Sequence, residues 1–237
     1  MAYSSVSHLG FVVLGIFALH NISMQGAVYQ MLAHGISTGA LFLLVGMLYD
    51  RRHTFEISEF GGLSTPMPKL AAFFLFVALS SLGLPMLNGF VGEFLILLGT
   101  YQRHWGWAAW AALGVILSAC YLLWSYQRVF FGEITRDKNK TLPDASVREK
   151  WILATMAVVT LWMGIGSPFI TRRTAAATQT VMDQVEPQHA YEAGARSRMR
   201  PQMKAASAPA TNAAMRQAQT RQAATVQTIS LERASIH

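Results

Sequence analysis

A long apolar run interrupted by helix breakers constrains this chain more than any other feature. It occupies residues 69–101 and reads KLAAFFLFVALSSLGLPMLNGFVGEFLILLGTY. A straight α-helix of that length would be roughly 50 Å long, whereas the hydrocarbon core of a membrane is about 30 Å thick. Gly83, Pro85 and Gly89 lie near the middle of the run, and a proline inside a helix removes a backbone donor and clashes with the preceding turn. The sequence therefore predicts a helix that is broken near Pro85.

One carboxyl group follows the predicted break. Glu93 is the only acidic residue within the long apolar segments of the chain. A charge near the centre of a bilayer costs on the order of 3 kcal/mol, and such residues usually face a cavity and carry function. Broken membrane helices are also where transporters build their ion sites. We therefore expect Glu93 to hold and release a proton; the alternative is a carboxyl at the lipid headgroups with no role.

The composition indicates a membrane protein that crosses the bilayer several times. Of the 237 residues, 52% are hydrophobic and only 13% are charged, and the apolar residues form long repeated segments. The net charge of +7 does not indicate nucleic-acid binding, because the last 66 residues, 172–237, hold nine of the basic and four of the acidic residues and so contribute +5. A single cysteine, Cys120, excludes a disulfide framework and a cysteine-based metal cluster.

The apolar segments predict an all-α membrane protein with five transmembrane helices and a separate tail. The spans are expected at residues 2–19, 24–48, 69–101, 106–131 and 151–170. Residues 1–170 would form the membrane domain, and residues 171–237 a basic, low-complexity tail that is disordered. The loops after the second and fourth spans, counted with Lys69, hold eight Lys and Arg residues, whereas the short loops on the other side hold only Arg103, which predicts that the two charged loops are cytoplasmic. Ser146 and Glu149 have the spacing of a capping box before the fifth span.

Polar residues inside the first two spans predict a proton relay with Glu93. His8 lies within the first span and His34 near the middle of the second, and histidine gains and loses protons near neutral pH. Gln30 and Thr38 are each four residues from His34 and share its helical face. Asn88, just after the break, adds a further polar group. The alternative for each histidine is a structural hydrogen bond to a neighbouring helix. On the adjoining face, glycines 35 and 39 have the spacing of tight helix packing.

Several sequence strings together resemble one known family. They are AYSSVSHLGFV, QGAVYQMLAHGISTGALFLLVGMLYDR, LGLPMLNGFVGEFLIL and YQRVFFGE. As a set, they are similar to the proton-translocating membrane subunits of respiratory complex I, the bacterial NADH–quinone oxidoreductase. The glutamate at position 93, where sister subunits usually carry lysine, resembles the M-type branch, which corresponds to mitochondrial subunit 4. The resemblance covers roughly residues 1–170 and does not extend into the tail.

The resemblance implies a fold and a function. The family has fourteen helices in an antiporter-like arrangement, and this chain resembles the last five. His8, His34 and Glu93 fall on family positions that belong to a proton path, which implies proton translocation coupled to electron transfer from NADH to quinone. NADH, FMN, iron–sulfur clusters and quinone would be bound by other subunits, so no cofactor, metal or redox residue is expected in this chain. The partners would be other membrane subunits of complex I and the lipid bilayer, and the location the bacterial inner membrane.

Part of the family's pattern has no counterpart in this sequence. The family's first repeat carries a lysine and a partner glutamate that are not found here, so we expect the chain to be the C-terminal piece of such a subunit, unable to pump protons alone. Two alternatives stay open at this point. The chain could belong to a multi-subunit Na⁺/H⁺ antiporter or a membrane-bound hydrogenase, which share the fold, or it could be an inert structural remnant.

Overall fold

All regular secondary structure in the described part of the chain is helical. The computed structural model describes residues 2–134 and 136–185. Its seven α-helices, in chain order, are α1 (Ala2–Phe17), α2 (Asn21–Arg52), α3 (Pro68–Ser81), α4 (Asn88–Arg103), α5 (Trp105–Phe130), α6 (Val147–Ile165) and α7 (Ser167–Val185). Two short 3-10 helices, Ile57–Glu59 and Asp137–Asn139, lie in the longer loops. The all-α class predicted from the sequence is confirmed for these residues.

The helices differ in their capacity to cross a membrane. Among the described residues, α2 and α5 are each long and apolar enough to do so, and α6 with α7 reaches the same standard as a pair bent by 66°. Helices α1 and α3 are apolar but only 16 and 14 residues long. At 1.5 Å per residue, each is shorter than the bilayer core. By length and composition there are thus two or three candidate spans, and the number five stays a prediction.

Helix α3 ends in a glycine cap. The Leu84 N–H donates to the Leu79 carbonyl at 3.0 Å, and the Gly83 N–H donates to the Ser80 carbonyl at 3.2 Å. Gly83 has a φ of 74°, in the left-handed region that glycine enters without a steric cost. This pair of hydrogen bonds is a Schellman motif, which satisfies carbonyls that the end of a helix leaves unpaired.

A tight turn leads from this cap to α4. The Leu87 N–H donates to the Leu84 carbonyl at 3.1 Å, with Pro85 and Met86 between them. Met86 has a φ of 76°, which places a side chain where a turn of this kind normally has glycine. Residues 82–87 are therefore outside both helices, and α4 begins at Asn88.

Helix α3 is capped by a residue distant in sequence, and α6 by a local capping box. The first backbone N–H groups of α3, at Lys69 and Leu70, donate to the Asp144 carboxylate at 3.3 and 3.2 Å. At the start of α6, the Ser146 hydroxyl accepts from the Glu149 N–H and the Glu149 carboxylate accepts from the Ser146 N–H. The predicted capping box is therefore confirmed.

Glycines bring the backbones of α2 and α4 into close contact, and these two helices share the most extensive interface among the described helices. A β-carbon added to Gly92 would lie 2.9 Å from the Gln30 Cα atom, and one added to Gly26 would lie 2.8 Å from the Leu95 Cβ atom. The predicted pair at residues 35 and 39 has open space instead, with nothing within 4 Å. Tight packing was therefore assigned to the wrong glycines, because helical spacing does not reveal which face a partner helix will cover.

Helices α6 and α7 meet at a bend. Pro168, the second residue of α7, has no N–H to donate into the preceding turn. The Tyr29 hydroxyl, which lies on α2, donates to the Met163 carbonyl at 2.6 Å. Gly164 packs directly on the turn before α4, because a β-carbon there would overlap the backbone of Met86. The bend thus lies against the α3–α4 connection.

The chain does not leave helical structure at residue 170, where the sequence placed the start of the tail. Helix α7 continues to Val185, so residues 171–185 are helical and the predicted boundary is wrong for them. Sequence rules undervalued this segment because its mean hydropathy is low, although alanine is a strong helix former. Within the described residues, the compact unit that contains the helices ends at Met182. The remainder of the predicted tail, 186–237, lies outside the described residues.

Candidate functional site

The site centres on a contact between a histidine of α1 and the carboxylate of α4. The Nδ1 atom of His8 lies 3.2 Å from the Oε1 atom of Glu93. His8 is 4% exposed and Glu93 6% exposed, so this pair is screened from solvent within the chain. Burying an ionised group is costly unless it has a partner, and each of these two residues is the other's titratable partner.

Two further polar side chains lie within hydrogen-bond distance of His8. Its Nε2 atom lies 3.2 Å from the hydroxyl oxygen of Ser81, the last residue of α3. Its Nδ1 atom also lies 3.3 Å from the Nε2 atom of Gln30 on α2. Four helices, α1 to α4, therefore contribute side chains to a single buried cluster. Such convergence is not visible in any local segment of the sequence.

His34 adjoins this cluster. Its ring centroid is 5.1 Å from that of His8, with the rings inclined at 42°. The Nδ1 atom of His34 lies 2.9 Å from the hydroxyl oxygen of Thr38, one turn further along α2. No direct hydrogen bond between the two imidazoles is recorded within the described residues, so a proton passing between them requires a ring rotation or a water molecule.

Asn88 organises a second polar network beside the first. Its Oδ1 atom accepts from the hydroxyls of Ser37 and Ser80, the former at 3.1 Å. Its Nδ2 group donates to the Ala33 carbonyl at 3.2 Å. Asn88 has no exposed surface, so these bonds are what allows an amide to be buried there. The network fixes the start of α4, and hence the direction of Glu93, relative to α2.

One glycine leaves room for the side chain of Glu93, and another leaves room for that of Gln30. A β-carbon on Gly83 would lie 2.8 Å from the Oε2 atom of Glu93, and one on Gly92 would overlap the side chain of Gln30. The connection between α3 and α4 therefore does more than change the direction of the chain. It places a residue without a side chain opposite the carboxylate, so that the end of α3 and the body of α4 can close around it.

The predicted site residues fall into three groups. His8 contacts both Glu93 and Gln30, and His34, which contacts Thr38, adjoins His8. Asn88 belongs to the neighbouring network. Pro85 is exposed in the turn before α4, and the structure shows no hydrogen bond that links it to Glu93, His8 or His34 within the described residues.

Sequence reasoning missed three hydroxyl residues of the site, Ser37, Ser80 and Ser81. The last two form a serine pair at the end of an otherwise apolar helix, two residues before Gly83. A polar pair that precedes a helix break is a signal that could have drawn attention to them, since buried hydroxyls need partners.

Charged residues outside the apolar segments form a separate cluster that joins two loops. The Arg51 guanidinium binds the Glu149 carboxylate through two hydrogen bonds of 2.9 and 2.7 Å, and also donates to the Pro143 carbonyl at 2.9 Å. The hydrogen bond from Arg51, together with those from Ser146, lowers the pKa of Glu149 to about 2, against a smaller opposing effect of burial. This clamp holds the end of α2 to the start of α6.

Comparisons with known proteins place this geometry in context. The family described as NADH:quinone oxidoreductase/Mrp antiporter, TM, matches residues 1–119, about half of the chain. The NADH-quinone oxidoreductase subunit M of Rhodobacter capsulatus is 49% identical over 171 residues, which are 72% of this chain and 33% of that protein. The NADH-ubiquinone oxidoreductase chain 4 of Chondrus crispus is 43% identical over 165 residues, 70% of this chain and 34% of that protein.

The chain is also similar to chains in two solved structures. Respiratory complex I from Thermus thermophilus with bound NADH contains a similar chain, with a TM-score of 0.72 and 36% identity over 78% of this chain and 39% of that chain. A chain of the archaeal membrane-bound sulfane sulfur reductase has a TM-score of 0.58 at 22% identity and covers 68% of this chain and 31% of that one; this likeness concerns the fold alone. The chain spans about a third of the length of the curated relatives it matches.

Proposed function

Since the chain belongs to the NADH:quinone oxidoreductase/Mrp antiporter membrane family, we propose that it forms part of a proton-translocating membrane subunit of NADH–quinone oxidoreductase. The relatives at 43–49% identity are named as subunit M or chain 4 of that enzyme. These names favour complex I over an antiporter or a hydrogenase as the setting. The chain is accordingly a multi-pass membrane protein, and we place it in the bacterial inner membrane.

One observation carries the proposal: a buried carboxylate and an imidazole are in contact, with a second imidazole beside them. The Glu93 Oε1 and His8 Nδ1 atoms are 3.2 Å apart, and the His34 ring follows at 5.1 Å from that of His8. A carboxylate and a histidine can exchange a proton over a hydrogen bond of this length. Ionisable groups within membrane segments mark proton routes. In this proposal Glu93 is the carrier, and His8 and His34 extend the path.

The energies involved are compatible with this role. Moving one proton against a potential of 100 mV costs about 2.3 kcal/mol. For a carboxyl group whose pKa differs by two units between two conformations, the free energy of holding the proton changes by about 2.7 kcal/mol. A modest change in the surroundings of Glu93 would therefore suffice to drive one proton. The Asn88 network and the turn at residues 82–87 adjoin Glu93, and we propose that a change of state reaches the carboxylate through them.

The remaining parts of the activity are assigned to other chains. We propose that other membrane subunits of complex I surround this chain, and that NADH, FMN, the iron–sulfur clusters and quinone are bound elsewhere in the complex. Among the described residues, no group of three His, Cys, Asp or Glu side chains is arranged to hold a metal ion. The role of the chain within the enzyme would be translocation, without redox chemistry of its own.

Replacing the carboxyl group in the assembled complex tests the proposal. Glu93→Gln keeps the shape of the side chain but cannot release a proton. It is expected to abolish or strongly reduce proton translocation per NADH oxidised, measured in inverted membrane vesicles with a pH-sensitive dye. Glu93→Lys restores an ionisable group and is expected to retain part of the translocation.

Glu133→Gln is the matched control, because Glu133 is exposed in the loop after α5. It should leave both electron transfer and translocation unchanged. Normal proton stoichiometry in the Glu93→Gln complex, with assembly verified by the amount of intact complex, would show that Glu93 is not the carrier.

A further inference from the structure

The Nδ1 atom of His8 faces two groups that make opposite demands on it. It lies 3.2 Å from the Glu93 Oε1 atom and 3.3 Å from the Gln30 Nε2 atom. A ring nitrogen has one hydrogen-bonding position, which donates when protonated and accepts when bare. An ionised carboxylate can only accept and an amide NH₂ group can only donate. While Glu93 is ionised, Nδ1 cannot satisfy both neighbours.

The other end of the Gln30 amide is also unsatisfied. Gln30 is 1% exposed, and its Oε1 atom has no hydrogen-bond partner. That oxygen points toward Gly92, whose missing side chain provides the space. A half-turn about the last side-chain bond exchanges the amide oxygen and nitrogen while the carbon atoms stay in place. Gln30 therefore has two orientations of nearly the same shape and opposite hydrogen-bonding character.

Few other groups could decide between the two orientations. Among the described residues, the titratable side chains in contact with His8 are Glu93 on α4 and His34 on α2. Helix α3 contributes the Ser81 hydroxyl. Helix α5 meets α1 where Gly114 faces Phe11, and it contributes no titratable group to the recorded contacts of His8. The choice of orientation thus depends on the protons of His8 and Glu93.

We propose that Gln30 is a positioning residue whose amide turns over when a proton moves between His8 and Glu93. With Nδ1 protonated, the amide oxygen faces it and the Glu93 carboxylate accepts its hydrogen. When the proton passes to a Glu93 oxygen, the electron pair stays on Nδ1, His8 keeps its Nε2 hydrogen, and the amide N–H donates to the bare Nδ1. By donating to the bare Nδ1 atom, Gln30 then keeps the proton from returning to His8 and so holds it on Glu93.

This inference rests on the proposal that His8 and Glu93 exchange a proton, but its test requires no transport. The full chain is reconstituted in lipid nanodiscs with ¹⁵N-labelled histidine and glutamine, and solid-state NMR follows the His8 Nδ1 and Gln30 Nε2 signals between about pH 5 and pH 9, around the ordinary pKa of histidine. Both signals are expected to change with the same midpoint. Gln25, whose Nε2 group donates to Asn21, is the internal control and should not respond.

Glu93→Gln supplies the second arm, because it removes the anion that competes for Nδ1. In this variant, the Gln30 signal is expected to lose its response to the His8–Glu93 proton and to remain in the orientation that donates to Nδ1. The inference is overturned if Gln30 Nε2 stays constant while His8 titrates, if its response is unchanged in Glu93→Gln, or if Nδ1 keeps one protonation state throughout. Should Glu93→Gln not fold, the two midpoints in the unaltered chain decide alone. Loss of translocation in the assembled complex would remain a separate question.

Discussion

Removing the Glu149 carboxylate should destabilise the chain at neutral pH and leave its stability unchanged in strong acid. The folded-state pKa of Glu149 is about 2, against an ordinary value of 4.5. A lowered pKa means that the ionised form is stabilised by folding, here mainly through Arg51. The difference of about 2.5 units corresponds to about 3 kcal/mol. That stability is fully present above pH 4.5 and is lost as the pH falls toward 2.

The assay is denaturant unfolding of the purified chain in detergent, followed by circular dichroism, for the unaltered chain and Glu149→Gln. The difference in the free energy of unfolding should be about 3 kcal/mol at pH 7 and should shrink to near zero at about pH 2. Glu133→Gln, which removes the same charge from an exposed position, should change the free energy of unfolding by less than about 0.5 kcal/mol. A difference that stays constant from pH 7 to pH 2, or is absent at pH 7, would refute the assignment of this stability to the ionised carboxylate.

Four further substitutions, one of them a control, test the packing around the site in the same unfolding assay. Gly92→Ala should cost about 2 kcal/mol because its β-carbon would meet the neighbouring helix backbone at 2.9 Å, whereas Gly35→Ala, in open space, should gain about 0.5–1 kcal/mol; equal effects would contradict the proposed contact. Tyr29→Phe should cost about 1–3 kcal/mol by leaving the Met163 carbonyl without its hydroxyl partner, and no loss would show that this bond is dispensable. Met86→Gly should stabilise the chain by about 1 kcal/mol, because a left-handed φ of 76° is costly for methionine; a loss would mean that the exposed side chain contributes packing.

Apolar periodicity and capping patterns predicted the all-helical class of the described residues. Apolar length located the main helices, and Ser146 with Glu149 correctly marked the start of α6. The predicted bounds of the second span, 24–48, were too narrow, since α2 runs from Asn21 to Arg52. The His20 side chain accepts from the backbone at its start, and hydropathy does not register such a cap. Local patterns describe one helix at a time, so they were least informative where caps and partners are distant in sequence.

The same limit applied to the site. His8, His34 and Glu93 could be selected because ionisable residues are rare in apolar segments. Gln30 was selected because it shares a helical face with His34, but its contact with His8, 22 residues away, could not be predicted. Ser81, 73 residues from His8, was not selected at all. A serine or glutamine in a membrane helix has many possible roles, and only the assembled helices show which hydroxyl or amide reaches the imidazole.

The glycine contacts between α2 and α4 have a mechanical consequence. Because backbone lies directly against backbone at Gly26 and Gly92, neither helix can slide or roll past the other without a collision, and interiors packed this closely deform little. The two helices would therefore move as one rigid unit, and the Gln30 amide on α2 and the Glu93 carboxylate on α4 would move together. Any mechanical signal that reaches Glu93 would have to act by rotating side chains, or by flexing the six-residue connector at 82–87, which is the compliant part of this region.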